Sequence, residues 1–310
     1  MHTLKLSVVV ACYKDQLAIP IMYVRVSKVM QLLEVDYELI FVNDGSPDHT
    51  ELLLGNLVNQ DSHLKAIHHS RNFGSQQAFI SGMSIMTGDA VILMDGDLQD
   101  PPELIPSFYK KWMEGYDIVY GVRRDRRETV LMNFFYKLFY KVFKKISYIQ
   151  IPLDSGDFSL IDRKVVIAIK ALPERDIFLR GLRAWVGFRQ TGVPYTRSAR
   201  MFGKSTNSFF SNFNWATKGI FSFSYLPLQL MTIGSLVFFF ASIIGIFAQI
   251  ILKILIPGTP QGISTIIVLL LFLSSIQLLS LSILGQYIGK ILEEAKGRPH
   301  YIVKHIDENK

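Results

Sequence analysis

Cysteine is almost missing from this chain: Cys12 is its one example in 310 residues. An intramolecular disulfide is therefore excluded, as is a zinc centre built from several cysteines. Charge is scarce too, at 19% of residues against 49% hydrophobic, and the mean hydropathy is +0.26. That balance excludes a disordered chain, and with it collagen-like and coiled-coil classes. Neither Gly-x-Gly-x-x-Gly after a strand nor Gly-x4-Gly-Lys-Ser/Thr is present, so dinucleotide-binding and P-loop folds fall away. Nothing at the start resembles a signal peptide, because the short run Leu6–Cys12 gives way at once to polar residues.

The largest absence is local. No Asp, Glu, Lys or Arg lies between Lys218 and Lys253, nor between Lys253 and Lys290. Each gap exceeds the ~20 residues that cross a ~30 Å hydrocarbon layer as a helix. The reading is two membrane spans, residues 226–253 and 262–289, joined by a linker rich in helix breakers (Pro257, Gly258, Pro260). Arg197, Arg200, Lys204 and Lys218 precede the pair and Lys290, Lys296, Arg298 and Lys304 follow it, whereas Lys253 alone lies at the turn. Both termini are accordingly expected on the cytoplasmic side of the plasma (inner) membrane.

Lys and Arg number 33 against 26 Asp and Glu, a net +7 that calls for an anionic partner. Residues 123–147 hold eight Lys/Arg and two Asp/Glu, so most of the excess is local. Lys137, Lys141, Lys144 and Lys145 share one helical face there, with Phe134, Phe135, Leu138, Phe139 and Phe143 around the rest. That predicts an interfacial helix near 131–147 resting on a lipid bilayer, and argues against a nucleic-acid partner. A second aromatic segment, 209–225, with Trp215 and Tyr225, is expected in the headgroup layer.

Residues 1–160 alternate β-branched runs with helical stretches, the pattern of a parallel sheet with crossover helices. Strands are predicted at Leu6–Cys12, Glu38–Asn43, Leu64–His68, Ala90–Asp95 and Asp117–Val122, and helices at Asp48–Val58, Gly74–Met86 and Pro102–Glu114. Ligands of such sheets bind beyond the carboxyl ends of the strands. Those ends carry Asp15, Asp44, Arg71, the pair Asp95 and Asp97, and Arg123. Asp95 and Asp97, two apart on extended backbone, point the same way, with Gly96 between them allowing a bend and close ligand approach. Hard oxygen ligands so placed suit Mg²⁺ or Mn²⁺, completed by water and phosphate. Asp100, just before Pro101 and Pro102, reads as a helix N-cap. Arg71, Arg123, Arg127, Arg180, Arg183, Arg200 and Lys204 are the candidate cations for phosphorylated groups. Arg200 and Lys204 lie nearest the membrane, where a lipid phosphate would sit.

Four segments resemble, in order and spacing, the family 2 glycosyltransferases: Ser7–Asp15, Val42-Asn-Asp-Gly-Ser46, His69-Ser-Arg-Asn-Phe-Gly74 and Met94-Asp-Gly-Asp-Leu-Gln-Asp-Pro-Pro-Glu103. Gly156-Asp157-Phe158 and the C-terminal hairpin narrow the likeness to polyprenyl-phosphate glycosyltransferases, the bactoprenol glucosyltransferases above all, with dolichyl-phosphate mannose synthases as cousins. The resemblance implies a GT-A fold, a nucleotide-sugar donor, a divalent cation and inversion at the anomeric carbon. It places Asp15 and Asp44 on the uridine, Asp95 on the ribose or metal, Asp97 on the metal, and Asp157 as general base or as an arginine-pairing carboxylate. The family's usual Pro-x-Tyr-Asn-Glu is Ala11-Cys-Tyr-Lys-Asp15 here. The expected reaction moves glucose from UDP-glucose to polyprenyl phosphate, with Arg71 beside the nucleotide sugar and Arg123, Arg127, Arg200 and Lys204 on the phosphates. Mannose, an amino sugar or a modified pentose would use the same machinery. A processive polysaccharide synthase would need more spans, and a membrane scaffold subunit would not need the acidic rim. Domain limits follow: a cytoplasmic catalytic domain 1–208, the interfacial segment 209–225, the two spans, and a cytoplasmic tail 290–310. A homo-oligomer is compatible with all of this.

Overall fold

The computed structural model describes residues 4–124, 155–174, 177–198, 201–202, 226–255 and 262–309. Arg127, Arg200, Lys204, the segment 131–147 and the segment 209–225 lie outside them.

One eight-stranded sheet organises the chain. In chain order its strands are β1 (Lys5–Cys12), β2 (Asp36–Asn43), β3 (Leu64–His69), β4 (Ala90–Asp95), β5 (Ile118–Arg124), β6 (Ser155–Asp162), β7 (Gln190–Thr196) and β8 (Val303–Glu308), arranged β7-β5-β6-β4-β1-β2-β3-β8. β1 pairs in parallel with β2 and β4, and β2 with β3. β6 inserts antiparallel between β4 and β5, β7 runs parallel to β5, and β8 closes the far edge antiparallel to β3.

Helices cover both faces, which is why β1 is apolar at nearly every position. Leu6, Val8 and Val10 face a core shared with α1 (Ile19–Leu33), α2 (Thr50–Val58) and α4 (Ile105–Met113), while Val9 and Ala11 face α3 (Ser75–Ile85), α5 (Arg163–Lys170) and α6 (Leu179–Trp185). α1 is an element that the strand-and-helix alternation did not predict. Its buried Ile19, Met22, Val26, Val29 and Met30 make a proper stripe, but exposed Val24 and Leu32 blur the period in the sequence. The expected helix at 102–114 is split into a 3-10 turn, Pro102–Leu104, and α4, because Pro106 stands in α4's first turn.

Two long helices follow, α7 (Leu226–Leu255) and α8 (Ile263–Lys296), of 30 and 34 residues. Both are long and apolar enough to cross a membrane, and the apolar windows Leu228–Gly245 and Phe272–Lys296 are unburied. They touch through Phe238 and Phe272, whose rings meet edge-on at 5.7 Å. After α8 the chain returns to the sheet as β8, so the last residues are a paired strand rather than only a tail.

Candidate active site

β4 ends at Asp95 because the next residue is committed to β1. The Gly96 amide donates to the Ala11 carbonyl at 2.8 Å, and a Cβ there would stand 2.9 Å from Cys12 Sγ and 3.0 Å from the Ala11 oxygen. Packing against β1, not ligand approach alone, is thus what requires glycine. The turn then passes through Leu98, buried and left-handed at φ 62°, a conformation that is strained for a branched side chain. Asp97 Oδ1 accepts the Gln99 amide at 3.1 Å.

Asp100 does not cap a helix. Neither the 3-10 turn nor α4 has a side-chain cap, and the buried Asp100 carboxylate turns inward to accept the Tyr195 hydroxyl at 2.5 Å. Arg197, just past β7, joins the same group: its nitrogens lie 3.5 Å from Asp100, 3.9 Å from Asp95 and 4.0 Å from Asp97. The chain just past β7 is tied to the turn after β4 by backbone, Ser198 N–H donating to the Gln99 carbonyl at 3.2 Å. Arg197 Nε is buried without a hydrogen-bond acceptor. Sequence reasoning missed Arg197 and Tyr195 as site residues, since β7 and its place beside β5 carry no signature in the chain.

Charge is out of balance here. Burial, then the like charges of Asp100, Asp97 and Asp157, push the Asp95 carboxyl up to about 8, with Arg197 opposing. Asp100 is raised as well, by burial, against the pull of Arg197 and Tyr195. Crowded hard oxygen donors with one guanidinium between them are a fit for a divalent cation, and Asp95 and Asp97 are the residues that would hold it.

Asp157, on β6, lies at the next position along the rim. It accepts a two-pronged ion pair from Arg180 of α6, Nε at 3.1 Å and Nη2 at 3.0 Å. Burial alone would raise its carboxyl, but Arg180, Arg183 and Gln76 outweigh it and hold the group at about 2. Arg183 is buried and donates to the Gly156 carbonyl at 2.8 Å; burial brings its guanidinium down to about 10. Arg123 reaches in from β5, its guanidinium covering Gly156 and its Nε donating to the Tyr195 hydroxyl at 3.4 Å.

Asp15 and Asp44 stand at the ends of β1 and β2. Asp15 Oδ2 accepts the Tyr13 amide at 3.0 Å beside Gly96. Asp44 is buried, and its carboxylate organises the loop after β3: Oδ1 accepts from Phe73 N–H at 2.8 Å and His69 Nδ1 at 2.9 Å, and Oδ2 from Gly74 N–H at 2.7 Å. Arg71, on that loop, is exposed and covers the Phe73 ring at 4.0 Å. The structure therefore joins Asp95, Asp97, Asp100, Asp157, Arg123, Arg180, Arg183 and Arg197 at one end of the sheet, with Asp15 alongside and Asp44 built into the adjoining loop.

A second group of metal-type donors, Glu51, His68 and His305, lies within 4.8 Å at the β3–β8 seam. Hydrogen bonds already fill it. Ser46 N–H fixes the Asn43 amide oxygen at 3.0 Å, which turns the Asn43 NH₂ onto His68 Nδ1 at 3.1 Å. The His68 proton then sits on Nε2 and is donated to Asp307 at 3.2 Å, while Lys304 holds Glu51 at 2.8 Å.

With this geometry in place, likeness to known proteins becomes informative. Residues 7–169 match the model of the family described as Glycosyl transferase family 2. The chain is 40% identical over 305 residues to a bactoprenol glucosyl transferase of Shigella phage SfV, covering 97% of this chain and 99% of that one. It is 43% identical over 307 residues to an uncharacterized glycosyltransferase of Synechocystis sp., covering 98% and 96%. Among solved structures, glucosyl-3-phosphoglycerate synthase of Mycobacterium tuberculosis with Mn²⁺, UDP and phosphoglyceric acid aligns at TM-score 0.48 and 19% identity, over 71% of this chain and 77% of that one.

Proposed function

Since the chain belongs to glycosyl transferase family 2 and its α/β sheet is of the GT-A type, we propose that this glycosyltransferase moves glucose from UDP-glucose to polyprenyl phosphate at the cytoplasmic membrane face, with inversion. The observation that carries the reading is the carboxylate crowd of Asp95, Asp97 and Asp100 at the carboxyl end of the sheet, with Arg197 lying across it. Asp95 and Asp97 would hold Mg²⁺ or Mn²⁺, which when bound neutralises the diphosphate leaving group.

The chain's own residues divide the remaining work. Asp15 and the loop held by Asp44 receive the nucleoside, with Arg71 at its edge. Arg197, freed from the carboxylates, brings its guanidinium to a diphosphate oxygen. An acceptor phosphate oxygen attacks the anomeric carbon from the face opposite UDP, the sugar–phosphate bond breaks, and UDP leaves with the electron pair. A phosphate monoester with a second pKa of ~6 is largely ionised at neutral pH, so no strong base is required. Asp157, held at about 2, is a poor base; it acts as the partner that aims Arg180 at the acceptor phosphate. Arg123 lies beside it, and Arg127, Arg200 and Lys204 are proposed for the lipid phosphate.

Two features support the membrane setting. α7 and α8 are exposed apolar helices, and β8 brings the chain back to the sheet that β1 begins, so both ends of the hairpin belong on one side. The test is direct. Purified protein in lipid nanodiscs is given a panel of nucleotide sugars, Mg²⁺ and polyprenyl phosphate, and the lipid product is weighed. Polyprenyl-phosphate hexose from UDP-glucose, lost on chelation, is expected. Product from no nucleotide sugar, or undiminished product in excess EDTA, overturns the proposal.

A further inference from the structure

The segment that follows the membrane hairpin is built against the loop that carries Arg71. Four observations meet there. The Ser70 amide, first in that loop, donates to the Ile302 carbonyl at 2.9 Å. The Tyr301 ring lies flat on His69, centroids 5.2 Å apart and planes 13° from parallel. His69, its side chain wholly buried, passes the contact on through the 2.9 Å hydrogen bond from Nδ1 to Asp44. Asp44 in turn holds Phe73 and Gly74.

The middle of the loop has no slack. Gly45 is left-handed at φ 64°, and a Cβ on it would fall 2.4 Å from the Arg71 carbonyl carbon. The loop is thus gripped by Ile302 at its start, Gly45 in its middle and Asp44 at its end. The first grip is Ile302 itself, and the last, Asp44, is hydrogen-bonded to His69, on which Tyr301 stacks. β8 itself is anchored on β3 and α2: His305 stacks on His68 at 4.5 Å, Asp307 accepts from His68, and Lys304 pairs with Glu51.

We infer that Tyr301 is a positioning residue of the donor site, through which the strand returning from the membrane sets the conformation of loop 70–74. The inference rests on the proposed function in one respect only, that this loop and Asp44 receive the nucleoside. Its structural half stands apart from any ligand, and the membrane hairpin thereby acquires a role besides anchoring: the order of the donor loop depends on a strand reached only through it.

The experiment uses the full-length protein in nanodiscs and compares wild type with Tyr301→Ala and Tyr301→Phe. Hydrogen exchange at the Phe73 and Gly74 amides reads the loop, and titration with UDP and Mn²⁺ reads the site. Tyr301→Ala is expected to speed exchange at those amides about tenfold with β1 and β4 unchanged. It should weaken UDP about fivefold, raise the donor KM by a similar factor and leave kcat at saturation within about twofold of wild type. Tyr301→Phe, which keeps the ring, should match wild type on each count. Unaltered exchange and UDP affinity in Tyr301→Ala would overturn the inference, and so would equal losses in Tyr301→Phe. Should the alanine variant fail to fold, Tyr301→Leu, which keeps most of the volume and loses the flat ring, is read by the same criteria. If wild type binds no UDP, the functional reading falls, while amide exchange still decides the positioning role.

Discussion

Arg197 carries more of the site's electrostatics than its place in the sequence would indicate. It stands within 4.0 Å of three carboxylates that would otherwise repel one another, and its side chain is 28% exposed, so water screens part of each attraction. Arg197→Gln should therefore bind Mn²⁺ about tenfold more tightly without nucleotide, because an internal competitor is gone, and UDP about tenfold more weakly. Manganese electron paramagnetic resonance with and without UDP reads both; equal shifts of the same sign would refute the exchange. Asp157 makes a complementary case. Its folded-state value of about 2 lies below the usual carboxylate range, so its ion pair adds stability above pH ~4 that is lost as pH falls toward 2. Asp157→Asn leaves Arg180 and buried Arg183 short of a counter-charge and should cost about 1–3 kcal/mol at neutral pH, discounted because Arg180 is partly exposed. Urea titration at pH 7 and pH 3 checks this, the gap between variant and wild type narrowing at the lower pH. Asp95, Asp97 and Asp157 were legible because each sits in a short motif. Arg197 was not, because its meaning comes from a contact across about a hundred residues.

Elements were legible in proportion to how plainly their burial shows in the chain. β1 to β5 are apolar runs ending in polar clusters, and all five were expected close to where they lie. β8 is different. Val303, His305 and Asp307 are half-buried while Lys304, Ile306 and Glu308 are exposed, so Val-Lys-His-Ile-Asp-Glu reads as a charged tail until β3 supplies a partner. β6 carries Gly156-Asp157-Phe158 buried between two strands, and the Asp157 carboxylate and Gly156 carbonyl are satisfied by neighbours from α6 that no local pattern announces. The loop after β2 yields the prediction at this scale. Gly45→Ala must place a methyl against the Arg71–Asn72 backbone at 2.4 to 2.7 Å in a left-handed conformation, and should cost about 2–4 kcal/mol. Denaturant unfolding measures the cost. Loss below about 0.5 kcal/mol would mean that loop 70–74 yields freely, against the close packing seen here.

At the scale of the whole molecule, the scarcity of cysteine becomes an experimental tool. Cys12 is buried, and burial together with the carboxylates of Asp15, Asp95, Asp48 and Asp97 raises its thiol well above the ordinary value, so it stays silent toward alkylating reagents. A single introduced cysteine can then report which side of the membrane it faces. β8 and β1 share one sheet, so a hairpin that crosses the membrane as proposed would leave and re-enter on the side of that sheet whatever its orientation. By the bias of positive charge, the basic residues flanking it, Arg197 and Arg298 among them, lead to the expectation, tested here, that this side is cytoplasmic. Gly258→Cys, in the linker between α7 and α8, should react with a membrane-impermeant maleimide added outside intact cells. Asn59→Cys, just past α2 on the sheet domain, should react only after the cells are opened. The reverse pattern would put the acidic rim on the outer face, away from cytoplasmic nucleotide sugars, and the proposed reaction would lose its donor.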